Sequence, residues 1–212
     1  MSPTTRSNFP KLAWFGFLLA SLSVTSCNPT AVSNGTPTPD AAPGHHLHLP
    51  ETPNDEEVER ALLFGERLVP LGAATTPAEN RALASAIAAY FDRDDRYNTG
   101  ELEAFLRDHP TTPWRASLLT NLGLLWRDTG RYGEALAAWQ SVWSLLQADR
   151  TWRGYATADR AVSELALLNS QLGRDTALAE LFPQLSRRPA FGSAAERITR
   201  AQRGLATMRS NP

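Results

Sequence analysis

Cysteine is nearly absent from this chain. Cys27 stands alone among 212 residues, so no disulfide can close within the chain and a zinc site built on several thiolates is excluded. An excess of one charge is missing too: the formal net charge of −1 offers no basic field to nucleic acid. Lysine is reduced to Lys11, and every other basic residue is arginine, a bias of composition that carries no functional reading. The only histidine outside "HHLH" at 45–48 is His109, which stands beside Pro110 in a turn. No histidine sits in a helical or strand pattern to serve as a base, and there is no Walker-type loop and no Gly-x-Gly-x-x-Gly run. The chain therefore reads as a non-enzyme with no cofactor. Sustained period-two alternation is also lacking, so nothing argues for a strand.

What is present begins with an address. Arg6 and Lys11 precede an uncharged, largely apolar run at 12–24, too short to cross a hydrocarbon core of ~30 Å comfortably but suited to a signal-peptide core. Val24, Thr25, Ser26 and Cys27 follow, and these small residues before a cysteine resemble the lipobox of bacterial lipoproteins. The resemblance implies a signal peptide at 1–26, cleavage before Cys27 and lipid on its sulfur, which would hold the protein in the cell envelope. Residues 27–53 carry Pro29, Pro37, Pro39, Pro43, Pro50 and Pro53 and no Phe, Trp or Tyr. Such a segment buries too little apolar surface to repay its ordering entropy and reads as a disordered tether. Imidazoles at 45–48 in such a tether lack second partners to fix them, so they make no specific metal site.

A helical domain is expected over 54–208. Asn54 and Glu57 form a capping-box pair, and Val58, Ala61, Leu62, Leu68 and Val69 recur at helical spacing up to Pro70. Thr76, Pro77 and Glu79 mark a second start, followed by a stripe of Leu83, Ala86, Ile87, Tyr90 and Phe91.

The densest signal is "NLGLLWRDTGRYGEALAAWQ" at 121–140. Leu119, Leu122, Gly123 and Trp126 are followed by Gly130 and Tyr132, then by Ala135 and Trp139. This resembles the tetratricopeptide repeat, whose two-helix unit recurs about every 34 residues with a Leu-Gly pair in the first helix and an Ala-x₃-aromatic in the second. The resemblance implies an all-α solenoid of about three helix pairs plus flanking helices. Gly123 and Ala135 would then lie where paired helices come closest, with Trp126 and Trp139 on either side, and Gly130 would end the first helix at positive φ. One step of about 34 earlier stand Ala89 and Phe105, a divergent copy. Val162, Leu165, Ala166 and Gly173 suggest a third, in which Gly173 comes about nine residues late, an insertion expected near 148–155. Residues 193–208 would be a polar closing helix.

"FDRDDRYNTGELEAF" at 91–105 invites comparison with a calcium loop, but Arg96 and Tyr97 fall where a ligand and the obligatory glycine are needed, so no metal is expected. Trp114, Trp143 and Trp152 are expected to pack between neighbouring helices. By resemblance, first helices line the concave face, which would present Ser117, Thr120, Asn121, Leu124, Arg127 and Asp128, then Arg160, Ser163, Leu167 and Gln171, to a protein or peptide partner. Leu124 and Leu167 stand where the asparagines of a carboxylate clamp would be, which argues against a chaperone-tail ligand. The expected function is a membrane-anchored scaffold for protein–protein interaction. The alternative is the front region of a larger exported enzyme or toxin-like protein.

Overall fold

The computed structural model describes residues 49–210. Cys27, the leader at 1–26 and the histidines at 45–48 lie outside the described residues, as does most of the expected tether. Within them the chain forms α1 (Asp55–Arg60), α2 (Pro77–Phe91), α3 (Gly100–Asp108), α4 (Arg115–Asp128), α5 (Tyr132–Leu146), α6 (Trp152–Gln171), α7 (Asp175–Leu185) and α8 (Gly192–Ser210), with no strand among them. The all-α expectation holds. No helix among the described residues is long and apolar enough to cross a membrane.

Both early helix starts form as their sequences direct. Asn54 and Glu57 exchange side-chain and backbone hydrogen bonds at 2.8 and 3.0 Å, and Thr76 with Glu79 does the same ahead of Pro77. The first helix nevertheless stops at Arg60 and does not run on to Pro70. Leu62 adopts a left-handed φ of 45°, an unfavourable conformation for a residue with a Cβ. Gly65 and Pro70 weaken any helix here, and polar side chains from α4 take the backbone groups that a helix would have paired. Leu68 and Val69 are still buried, but from a strap without regular secondary structure.

In the α4–α5 hairpin a tryptophan fills the space that Gly123 leaves. A Cβ placed on Gly123 would lie 2.3 Å from Nε1 of Trp139, so the indole occupies the space that any other residue would fill. Trp139 is fully buried and donates to the Thr120 carbonyl at 3.2 Å. Leu119, Leu122, Trp126 and Ala135 are buried around this contact, whereas Tyr132 is exposed. Gly130, at φ 80°, ends α4 with the Arg131 amide on the Trp126 carbonyl (2.7 Å) and its own amide on Arg127 (3.1 Å). Gly173, at φ 67°, ends α6 with the same paired bonds, from Arg174 to Asn169 and from Gly173 to Ser170. Both are Schellman caps, in which glycine avoids the left-handed penalty.

The divergent α2–α3 pair departs from expectation. Ala89 is exposed, whereas Ala84 and Ala86 on α2 and Phe105 on α3 are buried. The reason is register. Gly123 lies more than a turn inside α4, but Ala89 falls in the last turn of α2, where the chain is already leaving for the loop. The extra residues before Gly173 make no new loop; they lengthen α6, which at 20 residues outruns the 14 of α4. Trp143 on α5 donates to Gln184 of α7 at 2.9 Å. α8 closes on α6, with Gly204 so near that a Cβ would sit 2.1 Å from Ser170 Oγ.

Candidate functional site

The face expected to receive a partner is largely occupied by the chain itself. Ser117, Thr120, Asn121 and Leu124 on α4 are buried, and Ser117, Asn121 and Leu124 lie directly beneath the strap at 62–71. Asn121 accepts from the Glu66 amide through Oδ1 at 2.8 Å and donates from Nδ2 to the Glu66 carbonyl at 3.0 Å. One turn earlier, Ser117 Oγ accepts from the Val69 amide at 3.1 Å and donates to the Val69 carbonyl at 2.8 Å. The Leu71 amide reaches the Pro113 carbonyl at 2.8 Å, and Gly65 rests on Leu124, 3.8 Å from a Cβ built at the glycine. These four points order strap and helix in opposite directions. The spacing fits an extended strap: six steps at ~3.3 Å cover about 20 Å, close to the ~17 Å spanned by eleven helical residues.

Beside the strap lies a charged cluster that joins three helices. Glu164 of α6, whose side chain is only 3% exposed, meets Arg127 Nη1 and Arg160 Nη1 at 2.6 Å each and Arg197 Nε of α8 at 3.2 Å. Arg160 also lies 2.7 Å from the Glu66 carboxylate on the strap, and Arg153 pairs with Glu59 of α1. Arg127 further contacts Asp128 at 2.8 Å. Burial works against the Arg127 charge, but the hydrogen bond that it donates to Asp128 and the field of Glu164 outweigh it and hold the guanidinium above its ordinary pKa. These arginines are therefore framework first, each with carboxylates already in reach.

The remaining expected contact residues divide. Ser163 is fully buried and turns its hydroxyl back to the Arg160 carbonyl at 2.9 Å, so it offers nothing to a partner. Leu167 is half-buried, and Asp128 and Gln171 are exposed. A cavity of about 500 Å³ stays open between the strap and α6, with Arg67, Thr120, Ala156, Thr157 and Arg160 among its walls and Trp152 at its edge. Trp152 is 76% exposed and does not pack between helices, unlike the fully buried Trp114 and the nearly buried Trp143. It is the first residue of α6, on the turn by which that helix outruns its neighbours, so no helix stands opposite it.

Sequence reading missed Arg188 altogether. This buried arginine follows α7, lies over the Tyr155 ring at 3.9 Å and donates to the carbonyls of Leu146 (2.9 Å) and Tyr155 (3.1 Å). Its neighbour Asp159 has a raised pKa because burial disfavours the carboxylate, an effect that Arg188 and a backbone bond at Phe191 only partly offset. In the segment compared with a calcium loop, Arg93 turns inward onto the carbonyls of Tyr90 and Arg96. Among the described residues no three His, Cys, Asp or Glu side chains gather as a metal site would need.

Chemically, the arrangement can hold extended backbone through paired donor and acceptor groups, seat branched apolar side chains and receive a carboxylate. Comparison of the chain with family models, with curated proteins and with solved structures returns no match in any of the three.

Proposed function

We propose that this chain is a bacterial envelope lipoprotein, anchored through lipid on Cys27, whose tetratricopeptide-like helix pairs serve as a scaffold for protein–protein interaction. The observation that carries the binding part is the Asn121 amide, which takes both backbone groups of one strap residue. A side-chain amide used in this way recognises extended chain irrespective of side chain, the property that a peptide-binding face requires. The spacing of Gly123, Gly130, Ala135 and Trp139 supports the repeat reading, and the lipobox-like residues before Cys27 support the address.

Two measurements test the two parts. Metabolic labelling with a palmitate analogue should mark the wild type and leave Cys27→Ala unlabelled; equal labelling of both removes the anchor. A pull-down from envelope extracts should recover a protein that is lost when Leu124 and Arg127 are both replaced by alanine. Recovery that ignores those substitutions removes the proposed binding face.

A further inference from the structure

The strap at 62–71 is a ligand-like element: it lies along the helix face, yet belongs to no helix. Its two ends are turning points, Leu62 at φ 45° and Gly72 at φ 88°, and the exposed residues 72–74 lead from it into α2. Swinging it away would unwind no helix. Its hold is of three kinds: backbone bonds at Glu66, Val69 and Leu71; the buried side chains of Leu68 and Val69 with the half-buried Leu63, Phe64 and Leu71 beside them, Phe64 against Tyr90 and Phe91 of α2; and one ion pair from Glu66 to Arg160. Arg67 between them is exposed, and Gly65 meets Leu124 only at ordinary van der Waals distance.

Resting on the peptide-binding role proposed above, we infer that residues 62–71 are a cis ligand that occludes the α4 groove, and that the partner displacing it is an extended segment with an acidic residue, any residue, then two branched apolar residues. The strap itself supplies this pattern as Glu66-Arg67-Leu68-Val69. Each position has a reason in the groove. The acidic residue faces Arg160, the free position faces solvent, and the apolar pair enters the core beside Ser117. A competitor must supply amides and carbonyls three residues apart, to match Asn121 and Ser117 one helical turn apart.

The test uses the full chain and a fluorescent peptide of residues 62–71, LLFGERLVPL. In Val69→Asp the strap is weakened while every groove residue is kept. The peptide should bind this variant about tenfold or more tighter than wild type, because in wild type only the strap-open fraction is competent. Adding Asn121→Ala should remove that gain, and a peptide with lysine for the glutamate and serines for the apolar pair should not bind. Equal binding to wild type and variant, or none to a variant that keeps its helical circular dichroism, overturns the inference.

Should Val69→Asp fail to fold, hydrogen exchange on the wild type decides. The Glu66 and Val69 amides should exchange about tenfold or more faster than Leu122 in α4, the sign of opening without global unfolding. Exchange at the Leu122 rate overturns the strap's displaceability. A wild-type dimer that the peptide converts to monomer would assign the groove to a second copy of the chain, which also overturns the proposal. None of these measurements involves lipid or an envelope extract. A tenfold gain alongside a failed palmitate label keeps the cis ligand and removes the envelope role, and the reverse result does the opposite.

Discussion

The two sides of α4 are covered by opposite means. On one side Trp139 of α5 presses its indole onto Gly123, a contact of apolar area and shape with a single hydrogen bond to the Thr120 carbonyl. On the other, Asn121 and Ser117 hold the strap through paired polar bonds, with Leu68 and Val69 buried and Leu63, Phe64 and Leu71 packed at its edges. Close packing tolerates little displacement, since a gap of about 1 Å at the indole already forfeits roughly half of the dispersion attraction there. Polar bonds to backbone can be exchanged one for one with water or with another chain at small net cost. The first side therefore holds the domain together, and the second suits a surface that opens.

The largest effect that would sharpen this contrast is Trp139→Ala, expected to cost about 3–5 kcal/mol in urea-induced unfolding. Gly123→Ala comes next. Alanine favours a helix over glycine by about 1 kcal/mol, but overpacking against a fixed side chain costs about 1–3 kcal/mol. Trp139 is fully enclosed and cannot retreat, so the net change should be a loss. A gain in stability would break the close-approach argument. Asn121→Ala should lower global stability by only about 1 kcal/mol, while the Glu66 amide exchanges markedly faster. If global stability fell as far as in Trp139→Ala, the contrast between the two sides would be gone.

The smallest effect is a control that touches neither side. Asp159 binds its proton more readily in the folded state than in the unfolded one. Stability should therefore decline slightly as pH rises from the ordinary carboxylate range through its raised pKa, then level off. The slope contributed by this group should vanish in Asp159→Asn, read from unfolding curves across acid pH. A slope unchanged in the variant assigns it to another group.

What could be read from sequence was whatever local chemistry determines. Asn54 and Thr76 cap helices because their partners stand three residues on, and Gly130 and Gly173 end helices because the left-handed turn there suits glycine. The Gly123–Trp139 contact was legible because a small residue among leucines and a buried aromatic sixteen residues on fit two helices packed as a hairpin. The strap was not, because Leu62, Leu68 and Val69 keep helical spacing while the decisive partners, Ser117 and Asn121, stand some fifty residues away. Gly65 within that run is a local signal against a helix, but the apolar spacing continues across it. The Glu164 cluster was hidden for the same reason: Arg127, Arg160 and Arg197 come from three helices, and nothing local marks them as neighbours. Ala89 was misplaced because a constant step presumes that the helix continues to the same depth.

The opposed directions of strap and α4 have a mechanical consequence. The chain arrives from residue 49, passes through α1 and meets the groove first at Gly65 and last at Leu71. Tension applied from the N-terminal side would load these attachments in sequence, so the strap would peel like a zipper and not shear as a block. Ahead of it stands α1, tied to α2 through Asp55 and Asn80 and to α6 through Glu59 and Arg153, so the peel begins only once that clasp has opened.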